Sequence, residues 1–251
     1  MKRKSAICIS VILIMVLAAV CGALAGCGST LTADEGAQAV LDALDASKAF
    51  LTDYDKAEGY RYYTKFSTLS ADGKSSETYY LNYQLGDKDR WEDFLFIRYT
   101  STITTAGTSV TASEYLGDVL PAGKEDAKEN YIRVYTDGNK AAERMSEEEF
   151  LGREDIRYLT LEYIFALFDN LTEENIEVSD ASVSGSVTTV TFSVQDESVP
   201  LSAHKNVTVR ILNDKITSLE TYETDASSLT LDYAITYYAP NGSMPEMDYE
   251  L

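Results

Sequence analysis

The 251-residue chain is poor in the residues that most catalysis and metal binding draw on. It has three cysteines, Cys8, Cys21 and Cys27, and one histidine, His204. Zinc centres, thiol nucleophiles and Ser-His-Asp hydrolysis all need His or Cys, so this scarcity weighs against each of them. All three cysteines fall within the first 27 residues, so the rest of the chain has neither thiol nor disulfide and must rely on its core. Basic residues are the second scarcity: 21 Lys and Arg against 41 Asp and Glu, a net charge of −20. That sign repels nucleic-acid phosphate, no basic patch offsets it, and no nucleic-acid partner is expected. It also opposes lying flat on an anionic membrane. Its plain effects are solubility and repulsion between neighbouring copies.

Ligand-binding signatures are missing as well. There is no glycine-rich phosphate loop; Asp72-Gly73 and Asp137-Gly138 are hairpin-turn signals. The acidic run Asp87 to Asp93 does not fit a calcium loop, because its fifth and sixth places are Trp91 and Glu92. His204 sits in Pro200-Leu201-Ser202-Ala203-His204-Lys205, which reads as a surface loop. Carboxylates are plentiful, but abundance alone does not define a hydrolytic pair. The sequence therefore assigns no catalytic residue, no metal ligand and no cofactor, and a non-enzymatic role is expected.

What is present begins at the N-terminus. Lys2-Arg3-Lys4 precedes an apolar run from Ile7 to Val20, and Leu24-Ala25-Gly26-Cys27 closes it. This tetrapeptide resembles the lipobox of bacterial lipoprotein precursors. The resemblance implies export, cleavage after Gly26, and a diacylglycerol on Cys27 that holds the protein on the outer side of the cell membrane. Residues 1–26 then form the signal peptide and residues 27–33 a short lipidated tether. Residues 34–239 form a single domain and residues 240–251 a loose tail. Without the three basic residues of the signal, 18 bases face 41 acids, a mature charge of roughly −23. With 45% hydrophobic residues, the mature part can build a substantial core.

Residues 34–52 have helical periodicity, with Ala37, Val40, Leu41, Leu44 and Leu51 on one stripe and acids in the first turn. From Tyr60 the period changes to two. Tyr60, Tyr62, Thr64 and Phe66 share one face, and Tyr79, Leu81, Tyr83 and Leu85 share a face of the returning strand. A third strand, Asp93 to Ile103, has Phe94 and Phe96 on one side and Leu95, Ile97 and Tyr99 on the other. Ser109 to Leu116 and Tyr131 to Thr136 read as further strands, with a loop over residues 117–130. Ser146 and Glu149 form a capping box that starts a second helical stretch ending near Leu171. Strands follow over Val187–Val194, Val207–Ile211 and Ile216–Tyr222. In a final strand Leu229, Leu231, Tyr233, Ile235 and Tyr237 share a face.

This order predicts an α+β fold, a large curved antiparallel sheet covered on one face by two main helices. The same order, with Tyr131 to Gly138 at mid-chain and Val207 to Ile216 before the last strand, is similar to the lipoprotein-carrier (LolA/LppX-like) half-barrel superfamily. The resemblance implies a half-barrel whose cavity takes acyl chains. The candidate lining is Tyr60, Tyr62, Phe66, Tyr79, Leu81, Tyr83, Phe94, Phe96, Leu229, Leu231, Tyr233, Ile235 and Tyr237. Eighteen tyrosines leave two readings open: rings that fill a core, or rings that line a cavity or groove for a lipid tail, apolar peptide or glycan. The implied partners are the membrane, through Cys27, with a lipid or apolar ligand or an envelope protein.

Overall fold

The computed structural model describes residues 28–53, 60–69, 75–87, 91–117, 135–136, 146–222 and 229–238. In chain order these form β1 (Ser29–Thr30), α1 (Ala33–Thr52), β2 (Tyr60–Leu69), β3 (Ser75–Asp87), β4 (Trp91–Thr105), β5 (Thr108–Gly117) and β6 (Tyr135–Thr136). Then come α2 (Glu147–Leu151), α3 (Glu154–Arg157), α4 (Leu161–Ala166), β7 (Ile176–Ser184), β8 (Val187–Val194), a 3-10 turn (Pro200–Ala203), β9 (Asn206–Leu212), β10 (Lys215–Tyr222) and β11 (Leu229–Tyr238).

The described strands make one antiparallel sheet in the order β1-β7-β8-β9-β10-β11-β2-β3-β4-β5-β6. The fold is α+β, as expected. The sheet has two edges, β1 and β6, and does not close on itself. Hairpins join most neighbours. The longer crossings place β11 between β10 and β2, so the last strand joins the two halves of the sheet.

One face of the sheet carries the core. Cross-strand registers bring Leu116, Ile97, Tyr83, Tyr62 and Tyr237 into one row, and Tyr79, Phe66, Tyr233, Leu219, Val209, Val190 and Ala181 into another. Because side chains alternate at period two, these rows put one side of every long strand in the interior. Two bulges adjust the alternation. A register shift between Val178 and Asp180 lets Val178 and Ala181 point to the same side. Another between Ile216 and Ser218 does the same for Ile216 and Leu219.

α1 covers the β7–β10 half. Its start is a full capping box: Thr32 Oγ1 accepts from Glu35 N, and the Glu35 carboxylate accepts from Thr32 N at 2.8 Å. Gly36, Ala37, Val40, Ala43 and Leu44 are buried on the side facing the sheet. A Cβ on Gly36 would come 2.9 Å from Ala181 Cβ and 3.2 Å from Val178 Cγ1, so glycine sets how closely the helix approaches. Ser47, fully buried, donates to Ala43 O at 2.6 Å and accepts from Ile216 N at 3.0 Å. It thereby satisfies an N–H at the β10 bulge.

The second helical stretch is not one helix but three. Gly152 ends α2, Arg153 leads into α3, and Thr160 caps α4, its hydroxyl accepting from Tyr163 N. The breaks let the backbone follow the sheet closely: Thr64 Oγ1 on β2 donates to Leu159 O at 2.6 Å. Residues 28–33, expected as a tether, carry structure. Ser29 and Thr30 pair with Val183 and Ser182, Leu31 N donates to Ala181 O at 3.0 Å, and Thr32 caps α1. β7, which sequence reasoning did not single out, is the strand they pair with.

Candidate functional site: the aromatic inner face

The expected lining residues gather on the inner face over β2, β3 and β11. Tyr60, Tyr62, Leu81, Tyr83, Tyr233 and Ile235 are buried there, and Phe66, Tyr79, Leu231 and Tyr237 pack against them. Phe94, Phe96 and Leu229 lie on described strands, with side chains outside the described set. The register bears on one of them. Leu95, Ile97 and Tyr99 are the buried positions of β4, and Ile97 stands opposite Tyr83. Phe96 pairs with Gln84 in the β3–β4 register.

The rings form two groups. In the first, Tyr60, Tyr62 and Tyr83 stack with centroids 5.0–6.3 Å apart, and Phe50 of α1 meets Tyr60 and Tyr237 edge-on at 5.6 and 4.9 Å. In the second, Phe66 lies 4.8 Å from Tyr233, 5.2 Å from Tyr158 and 6.4 Å from Tyr79, and Tyr79 lies 6.5 Å from Tyr99. Thr64, Leu81 and Ile235 separate the groups, adjacent in register. Such stacked and edge-on pairs add to what burial contributes.

The hydroxyls of these rings are used inside the protein. Tyr83 Oη donates to Glu147 Oε1 at 2.8 Å, and Tyr237 Oη donates to Ile216 O at 2.8 Å. Tyr62 Oη sits beside the backbone of Leu161. Leu161 is the first residue of α4, where a helix leaves N–H groups without intrahelical partners. Burial, with nearby carboxylates adding to it, pushes Tyr62 and Tyr83 well above the usual tyrosine range. Burial also pushes Tyr79 up to about 12, with its bond to Glu77 adding to the effect.

Sequence reasoning missed two polar features beside these rings. Glu147 and Glu162 flank the first group; desolvation, with the Glu147 charge adding to it, raises the Glu162 carboxyl although its tip is exposed. The helix start needs only Ser146 and Glu149, so it gives Glu147 no signal of its own. Arg153 is the other. It pairs with Glu114 on β5 and with Asp155 at 2.7 Å, and its guanidinium lies 5.9 Å from the Tyr99 ring. It ties the α2–α4 segment to the sheet. No local pattern links positions 114 and 153.

Elsewhere, Asp34, Glu35, Glu173 and Glu174 line a cleft of about 600 Å3 between α1 and the start of β7, with Ile176 and Val178 among its apolar walls. Among the described residues no three His, Cys, Asp or Glu are grouped to hold a metal ion. His204 is half-buried after the 3-10 turn. In the Asp87–Asp93 segment, residues 88–90 are outside the described set, as are Gly26 and Cys27. Among the described residues no helix is long and apolar enough to cross a membrane.

The class of protein this defines is an α+β domain with one large antiparallel sheet, its aromatic inner face held under short helices. No protein-family model matches the chain, and no curated protein is significantly similar to it.

Proposed function

We propose that this chain is a lipid-anchored, extracytoplasmic, non-enzymatic envelope protein that works through the surface of its sheet domain. The observation that carries the anchor is in the sequence: Leu24-Ala25-Gly26-Cys27 closes the apolar run Ile7–Val20 that follows Lys2-Arg3-Lys4. Two or three acyl chains on Cys27 give stable membrane attachment, where one chain is marginal. The surface role draws on the inner face. Its described tyrosines are packed against one another and under α1 and α2–α4, and Tyr83 and Tyr237 spend their hydroxyls on internal partners. Exposed apolar side chains lie instead at Leu69, Ile103, Val110 and Tyr238.

A second reading keeps the half-barrel and its acyl-binding cavity. Its support is that the helices gather over the aromatic inner face, the side on which the carrier superfamily would place its cavity. One preparation tests both readings. The full chain, extracted in detergent, is weighed intact and under native conditions. A diacylglycerol mass on Cys27, lost together with membrane fractionation in Cys27→Ser, is expected. Unchanged fractionation of Cys27→Ser with an unmodified mature mass would sink the anchor. A co-purifying lipid beyond the protein's own acyl chains would replace the surface role with the cavity.

A further inference from the structure

We infer that the anchored domain does not swing on a leash but stands on the bilayer in one orientation, with the β7–β8 turn, Ser184-Gly185-Ser186, against the lipid headgroups. This rests on Cys27 carrying the lipid. Four observations lead to it.

The first is the lack of slack. Ser29 pairs with Val183 and Thr30 with Ser182, Leu31 N bonds to Ala181 O, and Thr32 caps α1. Gly28 is itself against the sheet; a Cβ there would lie 3.0 Å from Val183 O. Only Gly28 separates Cys27 from a paired strand, so the lipidated residue stays within about 7 Å of Ser29.

The second is direction. β1 is antiparallel to β7, so the chain before Ser29 runs toward Ser184 and the turn after it. The acyl chains must enter the bilayer from that end of the sheet.

The third is charge. The chain is strongly acidic, which opposes contact with an anionic surface, yet Ala181 to Val194 is fourteen residues without a charge. The adjoining β9–β10 turn, Asn213-Asp214 followed by Lys215, adds one charge of each sign. The acids on and before β7 are Asp180 and, farther from the turn, Glu177, Glu174 and Glu173. At about 3.3 Å per residue, Asp180 stands roughly 13 Å and Glu177 roughly 23 Å from Ser184, both beyond one Debye length at physiological salt. The β7–β8 hairpin, the corner of the sheet beside Cys27, therefore brings no charge of its own to the headgroups.

The fourth is polarity of the whole sheet. Register carried from β7 to β5 puts the β4–β5 turn, Ala106-Gly107, at the opposite end and far edge. That hairpin, with Ile103 and Val110 exposed, lies eight strands from β7 and at the strand ends opposite to the one nearest Cys27.

The test uses the full lipidated chain in phosphatidylcholine–phosphatidylglycerol vesicles. Once the signal is removed and Cys27 acylated, the protein has no other thiol. A fluorophore is placed at Ser186→Cys or at Thr108→Cys, both exposed positions. Headgroup nitroxides are expected to quench position 186 at least three-fold more than position 108. Ten Gly-Ser residues inserted between Gly28 and Ser29 should erase that difference while leaving acylation and membrane retention intact. Equal quenching at both sites in a chain shown by mass to be diacylated would overturn the fixed orientation and leave the anchor standing. A chain without the acyl mass would remove the anchor and the orientation together.

Discussion

The two halves of the sheet solve the same packing problem with different chemistry. Over β7–β10, α1 meets aliphatic side chains (Val190, Val207, Val209, Ile211, Leu219) through small residues, with Gly36 and Ala181 nearly in contact. Over β2–β5, three short helices meet tyrosines. The aliphatic half asks only for shape. The aromatic half must also place hydroxyls, and Tyr83 and Tyr237 put theirs on Glu147 and Ile216 O. Removing volume should therefore hurt the first half most, and removing single polar atoms the second.

The largest effect is expected from Phe192→Ala. Phe192 is fully buried in the aliphatic half, and the cavity should cost about 3–5 kcal/mol. For a domain of this size that is a fall in Tm of roughly 10 °C or more, read by calorimetry. Next is Gly36→Val, which should lose about 1–3 kcal/mol in urea unfolding because Ala181 and Val178 leave no room for the added atoms. A variant as stable as the parent would show that α1 can stand off from the sheet.

Tyr83→Phe keeps the ring and removes the hydroxyl that donates to Glu147, for about 1–3 kcal/mol. The same residues make the aromatic half sensitive to alkali. Unfolded tyrosines ionise near pH 10, whereas Tyr62, Tyr79 and Tyr83 are held above that by burial, Tyr79 at about 12. Above pH 10 the unfolded chain therefore binds fewer protons than the folded one, and stability falls as pH rises. Amide exchange should loosen in β2 and β3 before β8 and β9 between pH 10 and 12. Simultaneous loss in both halves would erase the distinction. The smallest effect is set by Lys48→Ala, which breaks a pair with Asp169 at 3.6 Å between two well-exposed side chains; a change below about 0.5 kcal/mol is expected in the same urea series.

Much of this fold was legible because periodicity is a local signal. α1 and the tyrosine faces of β2, β3 and β11 declared themselves at periods of 3.6 and two. β4 did not, since Phe94, Leu95, Phe96 and Ile97 are apolar on both sides and only pairing with β3 selects a face. β7 was hidden by its bulge and by Glu177 and Asp180, which interrupt any alternation. The three-way break of the second helical stretch had a trace in Gly152 and Thr160, but the helical stripe around them was the louder pattern. The polar partners Glu147, Arg153 and Ser47 were out of reach, because each acts across long sequence separations.

Ser47 shows what such a partner contributes beyond energy. An interface of Gly, Ala, Val and Leu is smooth, and a helix lying on it could slide or roll by part of a turn at small cost. One hydroxyl engaged by Ile216 N removes that freedom, because any shift of α1 would leave an N–H at the β10 bulge without an acceptor. Tyr237 holds the carbonyl of the same residue from the other half of the sheet. Ile216 is thus an index mark read by both halves: it fixes a single alignment for parts that hydrophobic contact alone would leave able to drift.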